Sequence, residues 1–405
     1  MGKVATEATL KNCENLLRVI AKNQVNYFEN FRAIQAIVQS GDAANFFEIG
    51  DQLMLTWNDG TIDHTLPWDV VHFGDVELEN GEVVPGMYIQ SHYAMQGVQF
   101  DASEAIYVAA SALPAGTYNF TIGTTWGTHC VAGKTYQFTT TKEIPAGGQV
   151  MVSKNNDFWT WGAPDVAVTS WNVHTFASNA DTEPLEQNLA IIEGSAGTAL
   201  GTLTTTVKYS ESGINNLQRA GYGYNRWAHS ANRQYYNSDA AVGNWWTPKN
   251  PFDRAPQQLS TVRGFKAGFD QDFLSIIKPV KVVTALNTVS DSEIGANETT
   301  YDTFFLPSLE QEYIVPQVSG VEGAYWEYWK QRLGLNTPQI TGADGVNPAH
   351  IRYAFNAQSS PQDCRLRSAT RGYACFTWGV STTGGAYNGH SATAAHRGCP
   401  ACVIC

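Results

Sequence analysis

The chain has 405 residues, with 25 Lys+Arg against 37 Asp+Glu and a formal net charge of −12. Only 15% of its residues are charged, against about a quarter in an ordinary soluble domain, so Asn, Ser, Thr, Gly and aromatic side chains must carry the surface. An acidic balance excludes nucleic acid as the main partner, because phosphate contacts need clustered Lys and Arg. No apolar run approaches the roughly 18 residues of a membrane span, so no membrane insertion is expected. The length predicts two or three domains of roughly 150 residues.

The first forty residues read as a helix. Leu10, Cys13, Leu17, Ile20, Gln24, Tyr27, Phe31, Ile34 and Val38 recur in three- and four-residue steps, the spacing of a coiled coil or of one amphipathic helix. Gly41-Asp42 ends it. The opening Met1-Gly2 with Thr6 formally fits a myristoylation pattern that short sequences match by chance. There is no apolar core of a signal peptide in this stretch, so secretion by that route is not expected. Seven cysteines is an odd count, and Cys364, Cys375, Cys399, Cys402 and Cys405 crowd one end. An evenly spaced disulfide framework is therefore not expected.

From about residue 46 the period changes to two. Gln52–Trp57, Val83–Ile89, Thr117–Ile122, Thr135–Thr141 and Val166–Val173 are short, rich in Val, Tyr, Phe and Thr, and separated by turn residues. This predicts an antiparallel sandwich or barrel. His64, His72, His92 and His129 are scattered through it and form no ligand pattern. Trp57-Asn58-Asp59 reads as a turn.

A third region starts near residue 186, with short helices expected around Arg226–Tyr236 and Gln271–Ile276. Polar-aromatic clusters fill it: Tyr222-Gly223-Tyr224-Asn225-Arg226-Trp227, Gly243-Asn244-Trp245-Trp246-Thr247-Pro248 and Tyr325-Trp326-Glu327-Tyr328-Trp329. Such composition suits a loop-rich α+β domain held by large side chains. Nucleotide-binding glycine loops, nucleophile elbows and zinc-protease helices are all missing.

The tail from Ala369 to Cys405 contains no Asp, Glu, Lys, Gln or Met. At the chain's own usage, a stretch this long avoids Asp, Glu and Lys about one time in a hundred. Tyr373, Phe376, Trp378 and Tyr387 are too many aromatics for a solvated linker, and Pro400-Ala401-Cys402-Val403-Ile404 reads as a closing buried strand. Cys399, Cys402 and Cys405, with His390 and His396 nearby, are zinc-ligand types without the paired-knuckle spacing of a structural site. No metal and no cofactor are expected.

Several stretches together resemble the C-type-lectin-fold variable proteins of diversity-generating retroelements, especially those of phages. They are Asn225-Arg226-Trp227 with Tyr235-Tyr236-Asn237-Ser238, Asn244-Trp245-Trp246-Thr247-Pro248, Gly264-Phe265 with Asp272-Phe273-Leu274, Phe304-Phe305-Leu306-Pro307-Ser308, Leu366-Arg367-Ser368-Ala369 and Pro400-Ala401-Cys402-Val403-Ile404. The resemblance covers roughly residues 200–405. Where that family usually carries Trp before Leu-Arg-Ser, this chain has Arg365.

The periodicities and the resemblance together give an α+β, mainly β chain in three parts: from the spacing, a helical attachment segment over 1–45 and a β-sandwich-like domain over 46–185, and, as the resemblance implies, a C-type-lectin-like ligand-binding domain over 186–405. In such proteins adenines of a template repeat are randomised, which leaves a restricted residue set lacking Lys, Glu, Gln, Met and Trp. The variable region would run from about 364 to 398. Its ligand-binding positions would be Thr370, Gly372, Tyr373, Cys375, Phe376, Gly379, Ser381, Asn388, Gly389, His390, Thr393, Ala394 and His396. Leu366, Arg367, Ser368, Ala374, Trp378, Val380, Gly385, Ala386, Ala392, Ala395 and Pro400 would be scaffold, with Tyr373, Phe376 and Tyr387 as aromatic anchors and Arg371 as a charged one. Glu-Pro-Asn and Gln-Pro-Asp triplets of calcium-dependent sugar binding are missing; Pro361-Gln362-Asp363 has the residues in another order.

The function implied is non-enzymatic recognition of a host cell-surface protein or glycan by a phage tail component, made in the host cytoplasm and carried on the virion. Its other partners would be virion tail proteins and, through the helix, two further copies in a homotrimer. Two alternatives fit the same fold class: a thiol oxidase like formylglycine-generating enzymes, drawing on Cys364, Cys375, Cys399 and Cys402, and a bacterial surface display protein.

Overall fold

The computed structural model describes residues 31–154, 166–209, 213–342 and 345–405. Of the helix expected over the first forty residues, only α1 (Phe31–Gln39) falls within them; the coiled-coil positions from Leu10 to Tyr27 lie outside the described residues. Ile34 and Val38 of α1 are buried, and Gln35 donates to the Cys405 carbonyl at 2.8 Å. A short α2 (Ala43–Phe46) follows.

Strict alternation builds the first sheet. In β1 (Gln52–Asn58), Leu53, Leu55 and Trp57 are buried while Gln52, Met54 and Thr56 face out, as expected where successive side chains take opposite faces. β1 pairs antiparallel with β2 (Asp63–Glu77), and β2 with β3 (Val83–Ser91).

The next strands are β4 (Tyr107–Val108), β5 (Gly116–Ile122), β6 (Thr135–Thr140), β7 (Gln149–Lys154), β8 (Trp171–Phe176), β9 (Glu186–Ala190), β10 (Ile192–Glu193), β11 (Thr198–Leu203) and β12 (Gly213–Ile214). They form one sheet in the order β10-β6-β5-β11 and another in the order β12-β4-β7-β8-β9. Phe120, Ile122, Tyr136, Phe138, Val150, Val152, Trp171 and Val173 share one core between them, a β-sandwich. The strand expected over 166–173 begins only at Trp171, after a 3-10 turn at Val168–Ser170.

Beyond the sandwich come α3 (Leu217–Tyr222), α4 (Ala231–Asn237), α5 (Gln271–Leu274) and α6 (Glu327–Leu333). The helix expected around Arg226–Tyr236 is split: Trp227–His229 is 3-10, and Ser230 restarts the chain as the cap of α4 by accepting from the Arg233 N–H. A side-chain acceptor at that point satisfies a helix-end donor and sets a new start. Short sheets pair β13 (Val280–Ala285) with β14 (Asn297–Asp302), and β15 (Arg352–Ala354) with β16 (Ala357–Gln362). A three-stranded sheet joins β17 (Cys364–Ala369), β18 (Phe376–Val380) and β19 (Ala386–Ser391).

The final strand, β20 (Ala401–Ile404), is fully buried and lies antiparallel on β3, Cys402 opposite Ile89 and Val403 opposite Tyr88. The boundaries expected at 46 and 185 therefore do not follow the packing. Leu53, Trp68 and Ile89 share one core with Trp227, Phe265, Phe304 and Val403, while residues 186–214 complete the sandwich. Alternation marks a strand but not its partner, and β1–β3 share a sheet with β20 and not with the sandwich.

A buried acidic cluster links the two cores. Asp101, Glu104 and Asp253 bring carboxylate oxygens within 4.8 Å of one another. Arg219 holds Glu104 through bonds of 2.8 and 3.0 Å, Asn215 and Asn250 also donate to it, and the Tyr224 N–H donates to Asp101 at 3.2 Å. Burial, then repulsion from Asp253 and Glu104, pushes Asp101 well above the carboxylate range; burial, then Glu104, pushes Asp253 up to about 8. The folded state so retains protons that the unfolded chain releases above about pH 4. Stability from these groups is complete below that pH and is lost as the pH rises through the folded values. Between pH 7 and 8.5, the melting temperature is expected to fall. Asp101→Asn, which keeps an acceptor for the Tyr224 N–H, should remove up to about 1.4 kcal/mol per pH unit of that slope. Calorimetry across the range checks it, and an unchanged slope in the variant counts against the assignment.

Candidate functional site

The three-stranded sheet β17-β18-β19 is held from below by buried donors. Arg365 is 1% exposed and donates to the carbonyls of His390, Ser391 and Ala394 at 3.2, 2.7 and 2.8 Å. Burial lowers its guanidinium to about 9, and its partners are carbonyl and hydroxyl oxygens. Arg367, equally buried, donates to the carbonyls of Leu306, Val283 and Glu322. Ser368 bonds the Glu322 carboxylate and accepts from the Leu309 N–H.

The turn between β17 and β18 is clamped by a side chain from far upstream. Asn225 donates to the carbonyls of Tyr373 and Phe376 at 2.7 and 2.8 Å, and its own N–H donates to Ala374 at 3.0 Å. Asn287 in turn donates to the Asn225 amide oxygen. Gln218 accepts from the Ala374 N–H, and Gln317 accepts from the Arg371 N–H and Trp378 Nε1. Arg226 and Trp227 continue the clamp, pairing with Glu298 and Asp302. Buried peptide groups outside regular pairing need such partners.

Outward from this frame runs a row of four rings. Tyr373 and Phe376 lie 5.1 Å apart between centroids, Phe376 and Tyr222 6.1 Å, and Tyr222 and Trp126 5.3 Å. Tyr373 is 39% exposed, and the other three are half-buried. A second group lies on β19 and beyond: Tyr387, 51% exposed, contacts His390, which stacks on His396 at 4.3 Å. Burial, with Arg365 beside both, lowers His390 to about 2 and His396 to about 4, so both rings are neutral near pH 7.

The thirteen expected positions divide by burial. Gly372, Tyr373 and Asn388 are exposed; Phe376, Ser381, Gly389, Ala394 and His396 are half-buried. Thr370, Cys375, Gly379, His390 and Thr393 are buried, so these five expected positions lie in the frame and not at the surface. Thr370, for example, turns inward to donate to the Asn388 carbonyl at 2.7 Å. Of the expected scaffold only Ala395 is exposed. Arg371 is half-buried and donates to the Leu286 carbonyl at 3.0 Å. Trp126 comes from the sandwich, and nothing in the sequence around it marks it. Tyr222 stood in a noted aromatic cluster, but without any sign of where it faces.

Cys364, Cys375, Cys399, Cys402 and Cys405 are all buried. Burial pushes the thiols of Cys375 and Cys402 well up, the opposite of what a nucleophile needs.

Two glycines of the segment separate face from frame. A Cβ at Gly372 meets nothing within 4 Å, whereas one at Gly379 would lie 2.2 Å from His390 Nδ1 and 2.6 Å from the Cys364 carbonyl oxygen. Gly372→Ala is expected to leave the denaturation midpoint unchanged, and Gly379→Ala to cost about 1–3 kcal/mol through overpacking. Paired urea titrations check this; equal effects would remove the distinction.

Comparison with curated proteins and with solved structures gives no match. Residues 201–404 match the family described as a domain of unknown function, DUF6273, and the chain belongs to that family.

Proposed function

We propose that the chain is a non-enzymatic receptor-binding protein with a C-type-lectin-like C-terminal domain, carried on a phage tail, whose segment over about 364–398 is diversified by a retroelement. The observation that carries this reading is the aromatic row Trp126-Tyr222-Phe376-Tyr373 set on a frame of buried arginine and asparagine donors. Aromatic side chains give large contact area at low entropic cost, and a few of them dominate recognition energy. Rigid scaffolds with exchangeable surface residues are the physical requirement for a face that must accept new sequences.

The segment's chemistry supports the same reading. With no Asp, Glu or Lys from Ala369 to Cys405, the face depends on ring stacking and neutral hydrogen bonds, and it needs no cofactor. The burial of all five C-terminal cysteines supports binding over a thiol-oxidase activity, which needs thiols open to a substrate. Single contacts of this kind are weak, and a homotrimer joined through the N-terminal helix would gain avidity by tethering.

Tyr373→Ala is expected to weaken attachment of the purified protein to host cells at least about tenfold, as for a recognition anchor worth about 1.4 kcal/mol or more. Its melting temperature should change little, because Tyr373 stands at the surface, outside the buried core. Flow cytometry with labelled protein reads the binding, with Val242→Ala on another exposed surface as control. Equal binding by wild type and Tyr373→Ala overturns the assignment of this face.

A further inference from the structure

Cys364 opens β17, and Cys399 stands two residues before β20. Between them runs the entire segment that carries the candidate face. Their sulfurs lie 3.9 Å apart, and with Ala94 the two residues form a small buried cluster. The backbone on both sides is already tied. The Arg365 N–H donates to the Arg397 carbonyl at 2.8 Å, the Met95 N–H to Gly398 at 2.8 Å, and Gln90 to the Cys399 carbonyl at 3.2 Å. A small cavity bordered by Cys364, Cys399, Leu366, Val380 and Pro307 adjoins the pair, so the side chains have room to turn. A disulfide requires the sulfurs to close to about 2.05 Å.

We propose that Cys364 and Cys399 form a disulfide when the protein meets an oxidising medium, closing the segment between them into a covalent loop. The proposal rests on the sulfur and backbone positions and stands whether or not the face binds a receptor. With a low-molecular-weight disulfide RSSR as oxidant, one cysteine thiolate attacks RSSR and expels RS⁻, giving a mixed disulfide. The second thiolate attacks the protein sulfur of that bond and expels the second RS⁻. Both cysteine protons end on the two RSH products, the protein loses two hydrogens, and RSSR is reduced. The sulfur–sulfur hydrogen bond, then burial, holds the Cys364 thiol well above its ordinary value, so the reaction is slow at neutral pH and faster as the pH rises. The cross-link constrains the unfolded chain at the two ends of the segment, where constraint raises stability without touching any exposed residue.

The full-length chain incubated with oxidised glutathione, then alkylated and digested without reduction, tests this. Trypsin cuts after Arg352, Arg365 and Arg397, so the expected product is peptide 353–365 joined to peptide 398–405, with fragmentation placing the bond at Cys399 rather than Cys402 or Cys405. The oxidised protein should unfold at a higher denaturant concentration and return to the starting midpoint with dithiothreitol. Cys364→Ala should abolish the linked peptide, and Cys402→Ala should keep it. Full alkylation of both cysteines after oxidation, Cys364 carrying only glutathione, or a bond from Cys364 to Cys402 or Cys405 would overturn the proposal. The mapping on wild type decides the matter even if a variant fails to fold.

Discussion

The constraint on which this structure depends is the satisfaction of backbone carbonyls in irregular chain. Beyond the sandwich, regular pairing is limited to strands of a few residues, and long connecting segments run through the interior. Each carbonyl buried there without a donor costs roughly 1–3 kcal/mol. The fold answers with long, multiply donating side chains placed inside: Arg365 and Arg367 beneath the candidate face, Asn225 in its turn, Arg352 on the His92 carbonyl and Arg254 on Asp181. One guanidinium can serve three carbonyls because its donors point in fixed, divergent directions.

This changes the meaning of the low charged fraction. Several of the few charges are not on the surface at all. Arg219, Arg352, Arg365 and Arg367 are each no more than 3% exposed, and Asp101, Glu104, Asp253 and Glu322 are buried with them. The surface of the C-terminal segment is left mostly to rings, glycines and neutral polar groups, with Arg371 and Arg397 half-buried. Support thus falls to buried residues, and in the proposed function the outer layer would change while the carbonyl contacts beneath it stay in place.

The sequence shows this division only in part. Alternation locates β1, β3, β5 and β6 closely, and the apolar run at the end marks β20 because that strand is buried on both faces. It does not show that β20 lies on β3, across some three hundred residues, since pairing leaves no local trace. Composition draws attention to the stretch after Ala369, yet it cannot separate Tyr373, which is exposed, from Cys375, which is wholly buried; small and polar residues suit either side. Arg365 illustrates the limit most clearly. In the sequence it is only an Arg where the resembled family carries Trp, and the three carbonyls around it explain why it is inside. Trp126 joins the row of rings through tertiary contact alone.

The central claim is that the segment is a replaceable face on a fixed frame. It is tested most directly by sequencing the encoding locus and its natural variants, with a search for a near-copy of the segment over about 364–404 beside a reverse transcriptase gene. The account predicts differences concentrated at adenines and at the exposed codons of Gly372, Tyr373 and Asn388, with Arg367, Gly379, Cys364 and Cys399 unchanged. Variation spread evenly over buried and exposed codons, or no near-copy in any such locus, would contradict it.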